Sequence, residues 1–410
     1  QAGPLDPRAR KMQFNDELMG QLIRFVSSHE LGHTLGLKHN MGASSQTPVE
    51  KLRDKAWVEK NGHTISIMDY ARFNYVAQPE DHISPKGIYA RIGAYDEWAI
   101  NWGYRYFDGE KDEYAEEKIL NKITTDTLTK NPRLWFGGEG KDEDPRSQAE
   151  DLGDDAIAAS DYGIKNLKRV VANLIPWTTE PGDQYDNLEQ MHKAVVRQYG
   201  RYLYHVMKNI GNRYVTKRSV DEKGAIYVEI PKQKVKSVVG YVGRQLFDAP
   251  LWMYPKEIAQ YVDLKPMEEI SDQQTQILNM FLSSGLLFNL SQKALNSTDP
   301  YPVSEFLNDV LPTVWKRPSL DPLKDTYLRS LQRSYLEKVG MLINPKDMAD
   351  GKAMNSAQRS DVRLEAITHI QAIRKKVEEI LPQTTGINAL HLADIKTEID
   401  KILKKTTINP

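Results

Sequence analysis

Four side chains within one short segment carry the chemistry legible in this sequence: His29, Glu30, His33 and His39, in HELGHTLGLKH. Histidines four apart on a helix project from the same face, so His29 and His33 offer two imidazole nitrogens at nearly fixed separation. Such nitrogens hold zinc at about 2.0–2.1 Å, and a catalytic site keeps one further position open for water. Glu30 lies about 100° further round the helix, at the edge of that face, where a carboxylate can take a proton from the water. Gly36 permits a turn that brings His39 back as a third ligand. HExxH alone arises by chance in roughly one percent of chains this long. Adding Gly36 and His39 lowers chance to roughly one in tens of thousands. A buried helix with incidental histidines fits poorly, because three of the nine histidines fall in this register. A structural zinc would fill four protein ligands, usually with cysteines, and the chain has none.

The elements that must position these groups follow from spacing. A helix is expected to start at Asn15 or Asp16, both good N-caps, with Glu17 adding a first-turn charge. Leu18, Leu22, Phe25, Val26, His29 and His33 are expected on one face. Gly36 ends the helix. A short helix is expected around 49–58, a tight apolar stretch at Ile65 to Tyr70, loops over 71–90, and an aromatic-rich helix over 91–106. Residues 109–154 read as an acidic linker containing FGGEG. Beyond 155 helical patterns dominate, at 155–174, 184–211, 232–247, 255–261, 272–295, 302–314, 321–340, 355–381 and 387–405. A strand pair is possible at 213–229, around a turn at Glu222 to Gly224. The fold class is therefore mainly α with at most a small β-hairpin, divided into a zinc-binding segment 1–108, a linker 109–154 and helical domain or domains 155–410.

Composition bounds the rest. Apolar residues make up 40% and charged residues 27% of the 410, a globular balance. A net charge of −1 leaves no footprint for nucleic acid. No apolar run reaches 18 residues, so no transmembrane segment is expected. The chain begins at Gln1 without a leader and reads as a fragment or processed product.

The histidine segment resembles the metzincin clan of zinc endopeptidases. Ser66-Ile67-Met68-Asp69-Tyr70 resembles the methionine-containing turn of that clan. The resemblance implies that Met68 packs beneath the imidazoles without binding metal, and that Tyr70 contacts the zinc or the developing oxyanion. FVSSHELGHTLGLKHNMGAS, SIMDYARFNYVAQPED and IGAYDEWAINWGYR resemble large secreted bacterial metalloproteases, best known from Bacteroidetes, with a long helical C-terminal region. That implies a Zn2+ cofactor, a peptide or protein substrate, and a secreted or cell-envelope location. Two features depart from the clan. Asn40 follows the third histidine where astacins have glutamate, serralysins proline and adamalysins aspartate. Only 28 residues precede His29, too few for the clan's substrate-binding sheet, so an upstream part of the full-length chain is an expected partner. The fold expected is the C-terminal half of a metzincin-like catalytic domain.

The function expected is zinc-dependent peptide hydrolysis with Glu30 as general base, in a chain that is weakly active or inactive alone. The alternative is a zinc-stabilised helical scaffold without hydrolytic activity. His63 and His82 read as surface loop histidines, and His192, His205, His369 and His391 as structural or exposed. Asp142, Asp144, Asp151, Asp154 and Asp155 lack the spacing of a calcium loop and read as solvated. Tyr95, Trp98, Trp102 and Tyr104 read as packing residues.

Overall fold

A computed structural model describes residues 1–109, 112–139, 144–319, 321–344 and 360–406. Among these the chain is mainly helical, with one two-stranded sheet. It divides into two compact units: residues 1–208 with 212–229, and residues 209–211 with 230–410.

The first unit is organised by α1 (Asp16–Thr34). Asn15 caps it as its spacing predicts, its side-chain oxygen accepting from Leu18 N at 3.0 Å. Leu18 and His29 are buried and Leu22, Phe25 and His33 half-buried, but Val26 is exposed. The helix ends in a Schellman turn. Gly36, at φ +84°, donates to His33 O at 3.0 Å, and Leu37 N donates to Gly32 O at 3.0 Å. α2 (Lys55–Asn61) and α3 (Pro85–Ile88) supply Val58 and Ile88 to a core with Leu18, Ala77, Ile83 and Tyr89. α4 (Ala94–Tyr104) packs Tyr95 with Ala43, Ile65 and Leu134.

The described residues among 109–154 hold more regular structure than their composition suggests. They contain α5 (Glu113–Lys130), capped by Asp112 and burying no residue fully. A helix with so little apolar surface leaves a weak periodic signal, so the sequence reads as polar loop. Beyond it α6 (Ala156–Ala172), α7 (Leu174–Thr178) and α8 (Asp186–Met207) belong to the same unit as the histidines. α6 and α8 approach closely at Gly163, where a Cβ would stand 2.7 Å from the Tyr202 ring. Asn166 on α6 donates to Tyr75 O at 2.9 Å and Ala77 O at 2.7 Å, pinning the loop that follows the 66–70 turn. The expected strand pair is present as β1 (Arg213–Val215) against β2 (Tyr227–Glu229), antiparallel with Tyr214 opposite Val228.

The second unit is a helical assembly: α9 (Lys232–Val242), α10 (Lys256–Ala259), α11 (Pro266–Phe281), α12 (Ser284–Asn296), α13 (Val303–Val314), α14 (Pro322–Ile343), α15 (Val362–Ile380) and α16 (Gly386–Lys404). Its core contains fully buried Tyr241, Phe247, Phe281, Phe306, Trp315, Tyr327 and Tyr335. His369 pairs with the Tyr335 hydroxyl at 2.7 Å and His391 with Gln332 Oε1 at 2.9 Å, which makes both structural. Of the helix expected over 355–381, residues 355–359 lie outside the described residues.

Candidate metal centre

The three histidines expected to act together do meet. One ligand atom each from His29, His33 and His39 lies within 4.8 Å of the others. Each outer ring nitrogen is already committed. His29 Nδ1–H donates to Ile67 O at 2.8 Å, His33 Nδ1–H to Leu37 O at 2.9 Å, and His39 Nδ1–H to Glu139 Oε1 at 2.5 Å. A carbonyl or carboxylate can only accept, so in the neutral ring the proton sits on Nδ1 and the lone pair on Nε2. Nε2 of His33 and Nε2 of His39 then face each other at 3.0 Å, a contact made favourable by a proton or a metal ion shared between them. Three imidazoles whose Nδ1 atoms are tied to outer acceptors are a donor set that suits zinc. These residues fit the metal.

Beneath the imidazoles lies the 66–70 turn. Met68 is fully buried, and its sulfur lies so close over Gly32 that a Cβ there would overlap it. The Tyr70 ring stacks on His29, centroids 5.5 Å apart, and leans on His39 at 4.8 Å. Glu30 is exposed, one position along α1 from His29, with no ion pair or hydrogen bond among the described residues.

Two buried aspartates brace this turn, and the sequence reading assigned neither a role. Asp96, on α4, accepts from Ser66 Oγ at 2.5 Å, Ile67 N at 2.7 Å and Gly93 N at 2.8 Å. Burial raises its pKa, and those hydrogen bonds oppose the rise. Its signature was present, since a side chain at the third helical position that accepts from the N-cap backbone is half of a capping box. Asp69 accepts from Ser44 N at 2.6 Å and Thr64 Oγ1 at 3.2 Å. Its other oxygen is buried without a partner, and burial pushes its pKa up to about 8. Asp151 is raised as well, first by burial and then by the Asp69 charge.

Other expectations fare differently. His63 is not a surface histidine. It is fully buried, donates from Nε2 to Ala71 O at 2.7 Å, and is held neutral by burial with a pKa near 4. Its neighbours Ser66 to Asp69 are buried as well, so the segment before them is packed rather than solvated. His82 is exposed, while His192 and His205 are buried. Tyr95 is buried, whereas Trp102 and Tyr104 are exposed. Asp142 lies outside the described residues. The other acids disperse rather than converge. Asp144 pairs with Arg146 at 2.7 Å, Asp151 accepts from Ser44 Oγ at 3.3 Å, Asp154 accepts from Val49 N at 2.9 Å, and Asp155 caps α6. Among the described residues the three histidines are the one such group that could hold a metal.

A helix-borne HExxH whose third histidine returns after a glycine turn is the arrangement of metal-dependent hydrolases. A family model described as Met-zincin matches residues 11–320. The chain belongs to that family, and its mainly helical fold fits a metzincin-like catalytic domain. No curated protein and no solved structure matches it. No described helix is long and apolar enough to cross a membrane.

Proposed function

We propose that this protein is a zinc-dependent endopeptidase in which His29, His33 and His39 hold the metal and Glu30 is the general base. The observation that carries the reading is the convergence of the three imidazoles while each Nδ1 is tied to an outer acceptor. Zinc bound there would polarise the scissile carbonyl and lower the pKa of water toward 7. Glu30 accepts the proton of the attacking water and delivers it to the leaving amine. Its exposure and lack of partners leave it free to do both. Tyr70, whose ring lies against two of the three imidazoles, would donate to the oxyanion. Met68, packed on Gly32 between the two helix-borne histidines, would support that stretch of α1.

Met19, Ile23 and Val26 are exposed on α1, and their spacing continues to Glu30, so one stripe runs up to the base. A polypeptide segment covering this stripe would border Glu30 and form a groove for an extended peptide. A secreted or cell-envelope location belongs to the same reading and rests on the resemblance of the motif segments.

Replacing Glu30 with Gln preserves shape and removes the base. The variant is expected to keep its zinc and to lose about 10²–10⁴-fold in peptide hydrolysis, measured in the longest chain that cleaves peptides. Wild-type turnover by a zinc-loaded Glu30→Gln protein would refute the assignment.

A further inference from the structure

We propose that Glu139 is the positioning residue of the third metal ligand, and that Asn40 is what delivers it. This rests on the metal-binding reading above and adds to it a residue one hundred positions away from the ligand it serves.

Of the three histidines, two take their orientation from main-chain oxygens and His39 takes its from the Glu139 carboxylate. A carboxylate behind an imidazole does two things that a solvent molecule does not. It holds the proton on Nδ1, which keeps the Nε2 lone pair available, and its charge makes that lone pair a better donor. Glu139 is well placed for this and poorly placed for a packing role, since its side chain is 61% exposed.

The chain leading to Glu139 is held by the residue directly after His39. Asn40 is fully buried, and its amide spans two strands of chain. Its Oδ1 accepts from Gly137 N at 2.9 Å, and its Nδ2 donates to Trp135 O at 3.3 Å. Its backbone N–H donates to Met68 O at 3.0 Å. Gly42 N donates to Gly137 O at 3.0 Å, so residues 135–137 run alongside residues 40–42. The two glycines meet back to back. A Cβ on Gly42 would stand 2.9 Å from Gly137 Cα, and one on Gly137 would stand 2.8 Å from Gly42 Cα. The path is thus fixed as far as Gly137, and Glu139 follows two residues later beside His39. Asparagine suits this position because it offers a donor and an acceptor on one planar group. Aspartate would offer no donor to Trp135 O, and proline would lose the N–H to Met68 O.

The test is zinc affinity of the full chain, measured by competition with a chromophoric chelator. Glu139→Ala is expected to bind about 10–100-fold more weakly than wild type. Glu139→Gln, which keeps an acceptor without the charge, is expected to fall between them, and Asn40→Ala to match Glu139→Ala. A second readout needs no metal: long-range 15N correlation spectra of the imidazoles, with the His39 signals assigned by their loss in His39→Ala. Wild type is expected to show the Nδ1–H form of His39, and Glu139→Ala a mixture with Nε2–H. Equal zinc affinity in wild type and Glu139→Ala, or an unchanged His39 tautomer, would overturn the proposal. If wild type and His39→Ala bound zinc alike, the metal reading itself would fall, and the tautomer measurement would still decide what Glu139 does to His39.

Discussion

Gly32 lies on α1 between the two histidines, under the sulfur of Met68, and the consequences of filling it can be worked out. On helix propensity alone Gly32→Ala should stabilise the protein by about 1 kcal/mol. The new Cβ, however, would overlap Met68 Sδ and stand 3.3 Å from its Cε. Met68 is fully buried, so the methionine cannot move aside into solvent, and overpacking of this kind costs about 1–3 kcal/mol. The two effects leave a net loss of up to about 2 kcal/mol. Moving Met68 also moves Ile67 O, which orients His29, so zinc affinity should fall with stability. Met68→Ala alone should cost about 2–5 kcal/mol through its cavity. In that background the clash is gone and Gly32→Ala should become stabilising by about 1 kcal/mol. The sign therefore reverses, with a coupling energy of about 1–3 kcal/mol between two residues in direct contact. Native-state hydrogen exchange of the α1 amides reads the local free energy in all four proteins. If Gly32→Ala stabilised both backgrounds equally, the contact between Met68 and the helix would not exist and the floor of the site would need another description.

Two further outcomes follow from the same packing. Chelation of the metal should increase amide exchange in residues 16–34 and 66–70, by the equivalent of about 2.7 kcal/mol when the metal stood at one hundred times its Kd. Exchange in α14 and α15 should be unchanged; equal loosening there would contradict the placement of the metal. The buried aspartates should also set a pH dependence. With its pKa raised to about 8, Asp69 keeps a proton in the folded chain that the unfolded chain has released above about pH 4. Stability from this group is present at low pH and lost as pH rises through 8, by no more than about 1.4 kcal/mol per unit per proton. His63 and His205, lowered to about 4 by burial, act in the opposite sense between 6.5 and 4, where their contribution is lost as pH falls. Urea midpoints should therefore decline from pH 6.5 to 8 under the influence of Asp69 and Asp151, and Asp69→Asn should flatten the decline. An equally steep slope in the variant would remove Asp69 from the account.

The sequence exposed the histidine cluster and the 66–70 turn because both are local. Asn15, the four-residue spacing of His29 and His33, and Gly36 each act within a turn or two of chain, so their types announce their geometry. The helices of the second unit were legible for the same reason, because large side chains such as Phe306 and Tyr335 recur at helical spacing. Glu139 was not legible. It reaches His39 through a contact between segments a hundred residues apart, and FGGEG carries no pattern of its own. Asp69 and Asp96 look like ordinary polar residues until their burial is known. α5 went unseen because it buries little. Asn40 stands out in the sequence only as a mismatch with other branches, whereas the structure gives its side chain and N–H three hydrogen bonds and a reason to be asparagine.

The way the three imidazoles are held also says where this centre can change. His29 and His33 lean on the carbonyls of Ile67 and Leu37, and a main-chain oxygen is present whatever residue bears it. Neither orientation can be deleted by exchanging the residue that supplies the oxygen. His39 leans on a side chain, which a single codon change can shorten, neutralise or remove. Under the proposed zinc-binding role, drift in metal preference, and any laboratory attempt to retune the centre, would therefore find its adjustable coordinate at His39 while the helix-borne pair stayed constant.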